Sequence, residues 1–534
     1  MVVTMKKQIA IFDSTLRDGA QGEGISFSVA DKLKIVETLD ELGVAYIEAG
    51  NPGSNPKDLE FFERVKNMSL KNARLAAFGS TRRRDTTVEE DNNIQSLLKA
   101  DTPVVVIFGK SWDFHVTDII KTTLEENLAM IKETLRFFKE KGKEVIFDAE
   151  HFFDGYKANP EYAMATLSAA VEGGADCIVL CETNGGAFPD EVYEITKKVV
   201  ENFNLPVGIH PHNDGGMAVA NAIMAVKAGA SHVQGTFIGI GERCGNVNLS
   251  TVIANLQLKK NYQCIPDDKM VALTQTARRI AEIANVSLTD GMPYVGKSAF
   301  AHKGGMHIDG VSKASHSFEH IDPELVGNER RFLMSEVAGR STILAKIQKF
   351  NAGIDKDSPE TKNIIDKLKK LEHIGYQFEG AESTFELIIR KELGKYKPFF
   401  ELEHFKIIGE HPAGEESFSS SALIKVKVDG QTEITAAEGD GPVNALDKAL
   451  RKALEVFYPE LRDVHLTDYK VRVLDTKQAT AAKVRVLIES TDGEDIWTTV
   501  GVSSDIIEAS WIALVDSIEY KLIKDIEKKF KAYL

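Results

Sequence analysis

Two histidines stand two residues apart in the stretch Gly208-Ile209-His210-Pro211-His212-Asn213-Asp214. The run leading into them, Leu205-Pro206-Val207-Gly208-Ile209, is short, apolar and entered by proline, which reads as a buried strand. On a strand, alternate side chains share a face, about 6.6 Å apart along the chain. Two imidazoles on one face are either half of a metal site or two surface histidines at a strand end. A metal also needs an oxygen ligand. The stretch Phe12-Asp13-Ser14-Thr15-Leu16-Arg17-Asp18-Gly19 offers one, because it follows another apolar run, Ile9-Ala10-Ile11. If both strands end at one mouth, Asp18 supplies the oxygen and Arg17 a cation beside it. Two imidazoles and one carboxylate with open positions suit Zn²⁺, Mn²⁺ or Fe²⁺, and Mg²⁺ less naturally.

The elements that must bring these residues together follow from the alternation of short apolar runs with amphipathic helical stretches between Ile9 and about Gly239. Eight strands are predicted: Ile9–Phe12, Tyr46–Glu48, Leu75–Phe78, Val104–Phe108, Val145–Phe147, Cys177–Leu180, Val207–His210 and His232–Gly235. Gly43, Gly174 and Gly229 each end a helix and are followed at once by a strand, as a left-handed cap allows. Eight βα units in this length fit a TIM barrel, with a doubly wound open sheet as the alternative. The open sheet is disfavoured because no GxGxxG follows the first strand. A barrel gathers at one mouth Arg17 and Asp18, Glu48, Asp148 and Glu150, Glu182 and Thr183, and His210 and His212. The loop Gly239–Asn246 then follows the eighth strand. Polar residues at strand ends over apolar strand bodies are the signal of an active site. Each one taken singly also reads as a helix cap or a solvated loop residue.

Beyond the barrel (residues 1–265) the pattern turns helical over 266–400, with helices predicted at Met270–Ala284, Arg340–Lys349 and Asp357–Leu371. Between them, Ala301–Gly310 reads as a Gly-rich loop, either a lid carrying titratable groups or a plain connector. From 405 to 534 the texture is strand-rich. Ala422–Val428 and Thr432–Ala437 form a hairpin about Asp429-Gly430, and an amphipathic helix begins after Gly439–Pro442. Strands Tyr469–Leu474, Ala482–Glu489 and Ile496–Val502 and a second helix repeat the pattern, and His411–Ser421 reads as a loop. This pseudo-repeated α+β domain carries no cluster of catalytic residue types, which suits regulation or dimerisation.

The 534 residues carry a net charge of −15 and no Lys/Arg block beyond Arg82-Arg83-Arg84, which argues against nucleic acid as a partner. That triplet reads as a solvated face or a phosphate contact. Four cysteines without a CxxC pair suggest reduced thiols and a cytoplasmic setting. No signal segment and no membrane-length apolar run is present, so no membrane partner is expected.

Taken together, Phe12–Gly19, His210–Asp214 and Gly239–Asn246 resemble the signatures of the DRE-type TIM-barrel metallolyase superfamily. The resemblance is to its Claisen-condensing branch of isopropylmalate, homocitrate and citramalate synthases, and it covers essentially the whole chain. Ile47–Asp58 and Phe147–Tyr156 look most like citramalate synthases. The resemblance implies a (β/α)8 barrel, a helical subdomain and a C-terminal allosteric domain. The activity it implies is condensation of acetyl-CoA with pyruvate, the entry to a pyruvate route to isoleucine. It also implies a divalent metal (Zn²⁺, Mn²⁺ or Mg²⁺), a homodimer and feedback by an amino acid such as isoleucine. By the same resemblance Asp18, His210 and His212 match the metal ligands, and Asn246 a fourth position. Arg17 matches the arginine beside the keto oxygen, Thr183 the threonine that holds the 2-oxo acid, and Glu150 an active-site glutamate. His307 and Asp309 match residues of the helical subdomain, and Glu48 is taken as substrate-binding. His307 and Glu150 are alternative bases. Glu182 stands where the family usually has aspartate, and Phe318 where tyrosine is common. Lyases of the hydroxymethylglutaryl-CoA type usually have Gly-Gly-Cys-Pro after the eighth strand, whereas this chain has Gly241-Glu242-Arg243-Cys244-Gly245, which favours a synthase. A barrel kept only as an amino-acid sensor is disfavoured because all three ligand positions are intact.

Overall fold

The computed structural model describes residues 6–53, 56–333, 358–410, 419–474 and 482–532. The chain divides into two compact units, one of residues 1–301 and 314–331, the other of 302–313 and 332–534.

The first unit is a closed parallel barrel of eight strands. They are β1 (Ala10–Asp13), β2 (Tyr46–Glu48), β3 (Arg74–Ser80), β4 (Val104–Lys110), β5 (Glu144–Glu150), β6 (Cys177–Glu182), β7 (Val207–Pro211) and β8 (His232–Gly235). All eight expected strands are present, and β8 closes on β1 with Phe12 opposite Gln234. The open-sheet alternative is excluded. The strands read as apolar runs because helices cover one face while the barrel interior buries the other. The two faces separate by parity. Ile11, Val105, Ile107, Val145, Phe147, Ile178 and Leu180 belong to the large core packed with the helices. Phe12, Ala76, Val104, Val106, Ile146, Cys177, Val179 and Cys181 form a separate interior cluster.

Helix Val29–Leu42 opens on a reciprocal Ser28–Asp31 capping box and ends at Gly43. There φ is +92°, and a Cβ would stand 2.5 Å from Pro266 Cδ, so glycine is required both for conformation and for room. A short strand, Lys7–Gln8, pairs with Tyr262–Gln263 outside the barrel.

Arg82 does not form the solvated face or phosphate contact expected of its triplet. It is 6 % exposed, and its guanidinium is held by Glu126 and Glu133 of helix Leu124–Glu140, each at 2.7 Å. A buried guanidinium keeps its charge only where carboxylates face it, and two do here. Arg83 and Arg84 are exposed.

In the second unit, Gly305–Lys313 is a helix where a Gly-rich loop was expected. Ile308 and Val311, three residues apart on one face of the helix, are buried, which outweighs its two glycines. Helix Pro359–Ile374 matches the third predicted helix, and Arg340–Lys349 lies outside the described residues. The predicted Met270–Ala284 helix, in the first unit, is a 3-10 turn (Asp267–Ala272) followed by an α-helix (Leu273–Ile283).

The remainder is a doubled β-β-β-α arrangement. Antiparallel β9 (Glu401–Glu410), β10 (Ser419–Val428) and β11 (Gln431–Gly439) precede helix Pro442–Leu454. Antiparallel β12 (His465–Val473), β13 (Val484–Thr491) and β14 (Ile496–Ser503) precede helix Ile506–Ala532. One core joins Ile424, Val426, Leu446 and Leu450 with Val486, Ile488, Leu514 and Ile518. Strand β9 is an addition to the expected elements, and Ser419–Ser421 belong to β10 rather than to a loop.

Candidate functional site

Strand parity carries the polar residues of the mouth. On β7, Gly208, His210 and, just past its end, His212 share one face, and the two imidazole centroids are 5.4 Å apart. Asp18 arrives from the turn after β1, whose backbone N–H donates to Ser14 O at 2.9 Å. Asp18, His210 and His212 are all buried, and each offers a ligand atom within 4.8 Å of the others. The two strands thus end at one mouth, and the surface-histidine alternative is set aside.

Asn246 completes the group. Its Nδ2 donates to Asp18 Oδ1 at 2.8 Å, while its Oδ1 is buried with no hydrogen-bond partner among the described residues. The loop that delivers it is built from positive-φ positions at Gly239, Gly241, Arg243 and Gly245. A Cβ at Gly241 would lie 2.2 Å from Asn246 Nδ2, so only glycine lets that amide reach Asp18. Arg243 staples the loop to the segment after β7 through a bidentate pair with Asp214, at 2.8 and 2.9 Å.

Charge is arranged around this triplet. Arg17 Nη1 donates to Asp18 Oδ2 at 2.8 Å and its Nε to Glu48 Oε2 at 2.6 Å. The guanidinium carbon lies 3.8 Å over the Phe78 ring, and Phe78 stacks on Phe108 at 5.1 Å. Glu48 is fully buried, takes a second bond from Ser14 Oγ at 2.5 Å and leaves Oε1 without a partner among the described residues. Burial alone would raise the pKa of Asp18, but Arg17 and His210 outweigh it and hold the carboxyl far below its ordinary range. Burial, and then the neighbouring His210, lower His212 to about 4, so it is a neutral imidazole with a lone pair to give. Burial opposes charge on His210, and Asp18 more than offsets it and pushes the pKa up.

One permanent anion, two imidazoles and an orphaned amide oxygen converging in a buried pocket fit a divalent cation. Asp18, His210 and His212 would hold it, with Asn246 Oδ1 as a further oxygen.

The other expected residues stand as follows. Glu150 ends β5 with its carboxylate on the Lys110 ammonium, at the end of β4. Thr183 Oγ1 accepts from the His151 backbone N–H at 2.9 Å, which leaves the hydroxyl proton free to donate elsewhere. Glu182 turns to its own loop, where Oε1 accepts from Gly186 and Ala187 N–H at 3.0 and 3.2 Å, and burial pushes its carboxyl up to about 7. Asp148 is buried and is likewise pushed up to about 7 by burial and then by Glu48. His307 and Asp309 lie on helix Gly305–Lys313 of the second unit, where Asp309 pairs with Lys313 at 2.6 Å. Phe318 is half-exposed.

Sequence reasoning missed Lys110, Ser14 and Gln234. Parity was the available signal, since Lys110 lies two residues beyond Phe108, and Gln234 two beyond His232, on interior faces.

Residues 8–286 match the HMGL-like family. Residues 294–375 match the homocitrate synthase post-HMGL domain-like family, and residues 379–522 the LeuA allosteric (dimerisation) domain. The chain is 56 % identical over 525 residues to the (R)-citramalate synthase of Aquifex aeolicus, covering 98 % of this chain and 99 % of that one. It is 52 % identical over 519 residues to the (R)-citramalate synthase of Geobacter sulfurreducens, covering 97 % and 98 %. Against a probable 2-isopropylmalate synthase of Methanopyrus kandleri the identity is 33 % over 518 residues, covering 96 % and 98 %. No helix among the described residues is long and apolar enough to cross a membrane.

Proposed function

The chain belongs to the HMGL-like family and, within it, to the (R)-citramalate synthases, and from that premise we propose that it condenses acetyl-CoA with pyruvate and water to give citramalate and CoA. The observation that carries this reading is the buried Asp18–His210–His212 triplet set beside Arg17. A divalent cation held there would act as a Lewis acid on the keto group of the 2-oxo acid.

The chain's own residues do the rest. Arg17 has five N–H donors, of which Glu48 and Asp18 engage two, and another is left for the keto oxygen as it gains charge. The Thr183 hydroxyl donates to the substrate carboxylate. Glu48 anchors Arg17 from below. A base, either His307 or Glu150 freed from Lys110, removes a proton from the acetyl methyl, and Asp309 of the same helix is the further residue assigned to this step. The resulting enolate carbon attacks the keto carbon, and water then cleaves the thioester, which makes the step irreversible. Residues 1–265 are the catalytic barrel, 266–400 the helical subdomain and 405–534 the effector domain.

The stacked Phe78 and Phe108 beside Arg17 support a small substrate. Arg82 is spent on Glu126 and Glu133 and so is not available for a second carboxylate, which disfavours 2-oxoglutarate. Lys110 is the residue that would favour 2-oxoglutarate were it released from Glu150. The test is free-thiol release from acetyl-CoA with a panel of 2-oxo acids. Pyruvate is expected to give the highest kcat/KM, with 2-oxobutyrate next, because one methylene discriminates by only about 1–3 kcal/mol. A value for 2-oxoisovalerate or 2-oxoglutarate at or above that for pyruvate overturns the substrate assignment.

The effector domain is proposed to bind the end-product amino acid isoleucine and to mediate a homodimer. Calorimetric titration of isoleucine into the full-length protein is expected to show binding, together with inhibition of thiol release. Absence of both refutes the effector assignment and leaves the catalytic one standing.

A further inference from the structure

His210 turns one ring nitrogen, Nε2, toward Asp18 Oδ2 at 3.5 Å and the other, Nδ1, toward Gln234 Oε1 at 2.7 Å. The Gln234 amide has two ends, and Asp148 selects which one faces the imidazole: Gln234 Nε2 donates to Asp148 Oδ1 at 3.0 Å. His210, Gln234 and Asp148 are 4 %, 0 % and 2 % exposed, so water does not compete for these bonds. They come from β7, β8 and β5, on interior faces of the barrel, and none is a neighbour of another in sequence.

The chain of donors and acceptors runs one way. At pH 8, where Asp148 is ionised, its carboxylate only accepts, so it takes the NH₂ end of the Gln234 amide, as the 3.0 Å bond shows. The amide carbonyl is then left facing His210, and a carbonyl accepts only from Nδ1–H. His210 therefore carries its proton on Nδ1 and keeps a lone pair at Nε2, on the side of Asp18 and His212.

We infer that Gln234 and Asp148 are positioning residues for the metal centre: together they fix the tautomer and the ring plane of His210 so that Nε2 is the ligand atom. This rests on the reading of Asp18, His210 and His212 as cation ligands. An outer partner of this kind is typically worth about 10–100-fold in metal affinity.

The test is titration of metal-free, full-length protein with Mn²⁺ at pH 8, read by calorimetry and by the electron paramagnetic resonance of free Mn²⁺. Failure of the unsubstituted protein to bind Mn²⁺ removes the metal reading itself, separately from this inference. Given binding, Gln234→Met keeps the side-chain length and loses both polar ends, and its affinity is expected to fall about 10–100-fold. The swapped pair Asp148→Asn with Gln234→Glu restores the order of the bonds, since the amide at 148 donates and the carboxylate at 234 accepts from Nδ1–H. It is expected to recover most of the affinity. Nitrogen-15 imidazole spectra of the metal-free proteins are expected to show His210 protonated on Nδ1 in the unsubstituted and swapped forms. Unchanged Mn²⁺ affinity in a folded Gln234→Met protein overturns the inference. A folded swapped protein whose His210 is protonated on Nε2 and not on Nδ1 does so as well, and remains decisive if Gln234→Met fails to fold.

Discussion

Asp18→Ala is expected to lower citramalate formation by at least roughly 10³-fold, since a Lewis-acid cation contributes several kcal/mol and each ~1.4 kcal/mol is tenfold. Asp18 is the one permanently anionic member of the triplet, and its two oxygens are the points at which Arg17, Asn246 and His210 converge. Two neutral imidazoles without it would hold a divalent ion weakly. The fold is expected to persist. Asp18 stands at the mouth, while the apolar barrel cores beneath it remain filled, and Arg17 keeps its bond to Glu48. The measurement is thiol release together with circular dichroism on the same preparation. EDTA treatment of the unsubstituted protein should reproduce the loss, and Mn²⁺ or Zn²⁺ should reverse it. Full activity after EDTA and in folded Asp18→Ala protein would refute the metal assignment.

Arg17→Gln is expected to cost both activity and stability, through different neighbours. Activity should fall by roughly 10²–10³-fold in kcat, the usual loss for one donor aimed at developing negative charge. Stability should fall because Glu48 is fully buried and Arg17 is its counter-ion at 2.6 Å. Removing one partner of a buried pair costs about 3–5 kcal/mol. The loss of the 3.8 Å guanidinium–Phe78 contact adds to it. The two effects separate in a second variant. Glu48→Gln added to Arg17→Gln removes the stranded charge, so the urea midpoint should recover while kcat does not. If the double variant regains turnover, Arg17 acts only through the integrity of the barrel mouth. If Arg17→Gln alone leaves the urea midpoint unchanged, the ion pair contributes little to stability.

The barrel and the residues proposed to hold the cation were legible because both are local. Parallel barrel strands are buried on two sides, so each appears as an apolar run, and the polar residue that ends the run marks the mouth. Asp18, His210 and His212 sit at or within five residues of such ends, and alternation alone puts the two histidines on one face, whereas Asn246 lies eleven residues past β8 and is reached only through the resemblance. Elsewhere local pattern failed for specific reasons. Strand β9 went unrecognised because a bulge between Leu402 and His404 shifts its parity. Leu402, Phe405 and Ile407 all pack on the core although they do not follow a single two-residue period. Gly305–Lys313 reads as a loop because its glycines weigh on propensity, yet burial of Ile308 and Val311 overrides a cost of about 1 kcal/mol per glycine.

By itself the sequence determined where each barrel strand runs, to within two or three residues at its end, and which face each residue takes. Those are properties of a residue and its neighbours two positions away. Only the tertiary structure decided partners across the barrel. Arg82 is neutralised by Glu126 and Glu133 rather than left to meet an anion, Lys110 is paired with Glu150, and Gln234 stands between Asp148 and His210. Each of those contacts joins residues 24 or more positions apart. Which strands and helices become neighbours is set by closure of the sheet and the burial of its two faces. A hydrogen bond or ion pair between them forms only after that closure has put both groups in the same water-excluded space.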